Sequence, residues 1–222
     1  MRAFVIQVMR LTSKIMEKRI PILLIYVLIV CAVSISMQGM RAVETEAGGV
    51  ELMSAYAWFC ALMLFSATYG KNAVTKYWYG ALLLCALLAR ELDMDKAFFE
   101  SGILSLRHYS GAAPLWQKVI GATVVLGLLL SGILLIVRGS APFVRGIRNG
   151  ERGQILILVA ICLTVIGKTL DGLFRKLWGV GIEISTKTMQ IAQIAEESAE
   201  LAASLCVMSA VTLLPLAARG RA

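Results

Sequence analysis

VIGATVVLGLLLSGILLIV, residues 119–137, is a stretch of nineteen residues without a charge or a proline. At 1.5 Å per residue it makes a helix about 28 Å long, close to the ~30 Å hydrocarbon core of a bilayer. A helix satisfies its own backbone hydrogen bonds, which an apolar medium requires. This stretch therefore predicts a membrane-crossing helix, and the rest of the chain repeats the pattern.

Five further apolar segments lie at 20–38, 52–70, 77–97, 154–174 and 197–217. Each is near the ~20 residues a crossing needs. The 222 residues are 59% hydrophobic and 16% charged, with a mean hydropathy of +0.78. Soluble domains carry about a quarter charged residues. The expected fold is an all-α integral membrane protein, a six-helix bundle in one domain over 20–222. The short connections leave no room for a separate aqueous domain.

Residues 1–19, MRAFVIQVMRLTSKIMEKR, have another pattern. Phe4, Val8, Leu11 and Ile15 recur at helical spacing, with Gln7, Arg10, Lys14 and Glu17 opposite. That predicts an amphipathic helix lying in the headgroup region. The basic part is long and periodic, and no small-x-small cleavage site follows. A retained helix is expected rather than a signal peptide.

The net charge of +8 does not point to nucleic acid, because the basic residues are scattered around apolar blocks. Anionic lipid headgroups suit them better. With the N-terminus cytoplasmic, 13 of 22 basic residues fall on that side, including those of RGSAPFVRGIRNGER, the 138–152 loop. This is the positive-inside pattern of a bacterial-type inner membrane protein with both termini cytoplasmic. Of 14 acidic residues only Glu17 and Glu151 lie inside, so 12 gather at or near the outer side.

Those carboxylates are the informative residues. LLARELDMDKAFFE, residues 87–100, carries an apolar run directly into six charges and two phenylalanines. From Trp78 to Arg90 is 12 residues, about 18 Å, so a helix continuing to Phe99 holds RELDMDK within the outer leaflet. On the fifth helix Lys168 lies about 21 Å and Asp171 about 26 Å from Gln154. On the sixth, measured back from Ala217, Glu200 lies at about 26 Å, with Glu196 and Glu197 near 30 Å. Three helices thus carry ionisable groups to one depth.

A charge at the centre of a membrane helix costs roughly 2.5–3.5 kcal/mol, less towards the interface. Such groups should face each other or a wet cavity. Arg90, Asp93, Lys96 and Glu100 share one helical face with alternating sign. Glu91 and Asp95 share a second face that has no cation. Lys168, Asp171 and Arg175 align on the fifth helix, and Glu196, Glu197 and Glu200 occupy one arc of the sixth. The third helix contributes two cations and four carboxylates, the fifth three cations and one carboxylate, and the sixth three carboxylates. The net charge is −3, or −2 with Arg107. Crowded carboxylates of this kind share protons.

The candidate ion-binding residues are Glu91, Asp95, Glu196, Glu197 and Glu200. Arg90, Asp93, Lys96, Lys168, Asp171 and Arg175 balance their charge. One expectation is a proton or cation site used for transport or periplasmic sensing. A second is a non-catalytic subunit or scaffold whose charges are interhelical salt bridges. A third is a lipid-modifying enzyme with a carboxylate base and a cation holding phosphate, although no nucleophile is evident. Membrane lipids are expected partners, with a second copy or another membrane subunit.

No cofactor is implied and no metal-site motif is present; a carboxylate-only site for Ca²⁺ or Mg²⁺ stays open, with no DxDxDG loop to mark it. His108 is the sole histidine, and there is no P-loop, dinucleotide fingerprint or GxSxG. His108 reads as an interfacial residue, and Trp116 and Trp178 as interface anchors. Cys31, Cys60, Cys85, Cys162 and Cys206 show no metal-ligand spacing and read as buried small hydrophobes. Ser34, Ser36, Ser54, Ser66, Ser131, Ser204 and Ser209, with Gly121, Gly127 and Gly132, read as helix-contact residues.

Overall fold

The structure is a computed structural model that describes residues 49–99, 102–179 and 185–219. The predicted amphipathic helix over 1–19 and the apolar segment 20–38 lie outside the described residues. Every element among the described residues is an α-helix. They are α1 (Gly49–Tyr69), α2 (Lys71–Thr75), α3 (Trp78–Glu91), α4 (Met94–Phe98), α5 (Leu106–Ser110), α6 (Leu115–Arg148), α7 (Arg152–Gly179) and α8 (Thr186–Arg219).

Four of these are long and apolar enough to cross a membrane, over Val50–Tyr69, Leu115–Arg148, Arg152–Leu170 and Lys187–Leu214. The expected third crossing, 77–97, is not one continuous helix. Its main part, α3, has 14 residues and reaches about 21 Å. The chain then turns at Leu92 and Asp93, where Asp93 takes φ 46°. Aspartate is one of the few residues that tolerates the left-handed region. The Asp93 N–H closes onto the Arg90 carbonyl at 3.1 Å, and its own carbonyl receives the Ala97 N–H to start α4. The continuous Arg90–Asp93–Lys96–Glu100 face is therefore broken after its first member.

The basic stretch 138–152 also differs from expectation. It is helix through Arg148, so α6 runs for 34 residues with Pro142 inside it. Arginine is a good helix former, and long basic side chains can extend an apolar helix into water. The helix stops at Gly150, which takes φ 69°. The Gly150 N–H bonds the Ile147 carbonyl and the Glu151 N–H bonds that of Gly146, which is a Schellman ending. Helix α8 starts eleven residues before the apolar run at 197, where the Ser185 hydroxyl accepts the Thr188 N–H at 3.2 Å.

Helix α8 is the centre of the bundle. It packs most extensively on α7 and on α1; α3 lies against α1, and α6 against α3. Along α8, Ala199, Leu201, Ala203, Ser204, Leu205, Met208, Ala210 and Val211 are buried. Small residues of this kind let helix backbones approach in the absence of a hydrophobic drive between them. The core joins Val50, Ala57, Trp58 and Ala61 of α1 to Leu84 of α3 and to Leu201, Leu205 and Met208 of α8. Gly167 of α7 is a close-approach point, since a Cβ there would touch Ala199 Cβ at 3.7 Å and Glu200 Cγ at 3.8 Å.

The outer surface stays apolar. On α6, Leu126, Leu129, Leu130, Ile133, Ile136 and Val137 are all exposed, as a helix facing lipid should be. Ser54, Ser131, Ser204 and Ser209 are buried as expected of helix contacts, whereas Ser66 is exposed. Gly127 meets Leu82 at 3.6 Å, but Gly132 has nothing within 4 Å of an added Cβ. Cys85 and Cys162 are exposed rather than buried. Trp116 is exposed near the start of α6.

Candidate functional site

The short α2 turn makes α1 and α3 antiparallel, which returns the end of α3 to the start of α1. Counting from that turn, Ser54 lies 16 residues before Gly70 and Glu91 lies 14 after Tyr77. These are about 24 and 21 Å along their helices, so the two side chains meet. Ser54 Oγ and Glu91 Oε2 are 2.6 Å apart. Ser54 Oγ is also 2.9 Å from the Glu51 carbonyl oxygen. The Glu91 side chain is only 7% exposed.

Arg90, next in the chain, points to α8. Its guanidinium donates to Glu200 Oε1 and lies 3.8 Å from Glu91 Oε1. As a cation in the last turn of α3 it also sits well with the negative end of the helix dipole. Lys168 reaches the same Glu200 oxygen from α7 at 2.9 Å and Glu196 Oε1 at 3.2 Å. Glu200 is therefore the meeting point of α3, α7 and α8. The two cations are 43% and 45% exposed, so these pairs sit at the edge of the packed core and not inside it.

Glu197 stands differently. Its carboxyl makes no hydrogen bond or ion pair among the described residues. The charges of Glu51, Glu91, Glu196 and Glu200 all act on it. Counting Glu197 itself, the described side chains there supply five carboxylates and two cations, Arg90 and Lys168.

Of the residues singled out from the sequence, the structure brings together Arg90, Glu91, Lys168, Glu196, Glu197 and Glu200. Asp93 marks the helix break. Asp95 and Lys96 belong to α4, and Asp171 and Arg175 to α7; their side chains lie outside what the structure describes. The sequence reading missed Ser54 and Glu51 as neighbours of Glu91. The depth count that placed the other charges would have found both had it been applied to α1.

His108, read from the sequence as an interfacial residue, is buried within the protein. It is 2% exposed and packs edge-on against Phe99 and Tyr109, beside Gly121 of α6. Among the described residues no three His, Cys, Asp or Glu side chains are arranged to hold a metal ion. Carboxyl groups held this close favour bound protons or nearby cations.

No family model matches this chain, and neither a curated protein nor a solved structure matches it.

Proposed function

We propose that this chain is a multi-pass membrane protein that binds a proton or a small cation in the acidic site between α1, α3, α7 and α8. The observation that carries the reading is Glu197, a carboxyl with no hydrogen-bonding or ion-pairing partner among the described residues, set among four other carboxylates. A carboxyl crowded by like charges favours a bound proton or an external cation. Transport and sensing of the outer side both require such a group.

In this account the segment 20–38 and the α3–α4 region add to the four long helices to make six crossings. The N-terminal residues lie on the membrane surface. The basic end of α6 faces the cytoplasm of a bacterial-type inner membrane, which puts the acidic site near the periplasmic face. A second copy or a partner subunit covers part of the apolar exterior.

Reconstituted protein tests the reading by difference titration for protons and by calorimetry for monovalent cations. Glu197→Gln should insert normally and lose binding. Equal binding by the variant and the parent would overturn the proposal. A second reading, a scaffold held by a salt-bridge network, draws on the convergence of Arg90 and Lys168 on Glu200. It predicts lost assembly on neutralising Glu200 and no ligand response in either protein.

A further inference from the structure

The far end of the molecule carries cations of a different kind. Arg138, Arg145 and Arg148 follow the apolar part of α6. Arg138 is engaged, with its guanidinium over the Tyr79 ring at 5.8 Å. Tyr79 belongs with Tyr77 and Trp78 to an aromatic group of the sort that marks a membrane boundary. Arg145 and Arg148 lie 7 and 10 residues further on, roughly 10 and 15 Å along the axis past that boundary, and their long side chains can reach back to lipid headgroups. Both make no ion pair among the described residues. With Ser140, Ala141 and Val144 they line a shallow, open groove along one face of α6.

The groove continues a lipid-facing stripe. Leu130, Ile133 and Val137 recur at three- and four-residue spacing, and Ala141, Val144 and Arg148 extend the same face. The first three, with Val144, are exposed. An apolar track that ends at two guanidinium groups with no ion pair among the described residues matches one ligand shape: acyl chains joined to a phosphate. Ser140 and Ala141 are small and leave space for the phosphate, and arginine pairs with phosphate through two parallel N–H donors.

We infer that this groove binds the phosphate of an anionic phospholipid, with an acyl chain along the Leu130–Val137 stripe. The inference rests on the membrane-crossing reading of α6. The site tethers the α6–α7 turn to the anionic leaflet, at the opposite end of the bundle from Glu200.

The test uses the full chain in nanodiscs of phosphatidylcholine with a minority of phosphatidylglycerol, and native mass spectrometry reads the lipid retained. The parent should retain phosphatidylglycerol selectively. The double variant Arg145→Gln, Arg148→Gln should lose roughly thirty-fold in retention, near five-fold per arginine. Arg145→Lys, Arg148→Lys should retain more than the glutamine variant and less than the parent, and the control Lys118→Gln on the other end of α6 should match the parent. Retention unchanged in the glutamine variant would overturn the inference. So would displacement of the lipid by millimolar inorganic phosphate, which would mark a site for free anions. Resistance to carbonate extraction, measured on the same preparations, reports membrane insertion separately. Failure there would remove the membrane reading, and lipid loss with insertion intact bears on the groove alone.

Discussion

The Lys168 ammonium lies 2.9 Å from Glu200 Oε1 across the α7–α8 contact, and Arg90 of α3 donates to that same oxygen. One carboxylate thereby ties three helices. Its loss leaves two cations without their common partner. Because both are nearly half exposed, the cost is well below that of breaking a fully buried pair. Glu200→Gln should lower stability by about 1–2 kcal/mol. Arg90→Gln or Lys168→Gln alone should cost less, since the other cation remains. Chemical denaturation in mixed micelles checks the order.

Ser54 and Glu91 should be coupled. The carboxyl is almost fully buried, and the serine hydroxyl is 2.6 Å away. Ser54→Ala should destabilise by about 1 kcal/mol, and Glu91→Leu by a similar amount. The double variant should cost less than the two together, by a coupling of about 0.5–1 kcal/mol. Strict additivity in the double-mutant cycle would contradict the contact.

Two glycines of α6 should respond oppositely to alanine. At Gly146 an added Cβ would come within 2.6 Å of Gln154 Cγ and Cδ. Gly146→Ala should cost about 1–3 kcal/mol, and Gln154→Ala in the same chain should recover part of it. At Gly132 the space is open. There the substitution should be neutral, or should stabilise by up to about 1 kcal/mol through helix propensity. Thermal scans of the three variants decide.

Glu197→Gln should not destabilise the protein. Removing one of five crowded negative charges relieves repulsion and takes away no hydrogen bond among the described residues. An unfolding midpoint at or above that of the parent is expected. A clear fall would mean that Glu197 has a structural partner and is not free to bind an ion.

The sequence discloses depth better than it discloses local geometry. Hydrophobic length and 1.5 Å of rise per residue place Arg90, Lys168 and Glu200 on one level, and the structure joins them. The helix break at Asp93 is invisible to that count, because one left-handed aspartate leaves no trace in hydropathy. The end of α6 misleads in the opposite sense, as Arg145 and Arg148 resemble a loop by charge while remaining helical. Ser54 was legible as a helix contact. Its role beside Glu91 depends on the antiparallel pairing of α1 and α3, which the short α2 connection implies.

Solvent access at position 197 separates an ion site from a sealed structural pairing. The measurement is labelling of Glu197→Cys by a membrane-impermeant maleimide, with Cys31, Cys60, Cys85, Cys162 and Cys206 replaced. Reagent is added from the outer side of oriented membranes. The proposed function predicts rapid labelling from that side and none from the other. No labelling from either side, in a protein that inserts normally, would contradict it and leave the charges as a structural clasp.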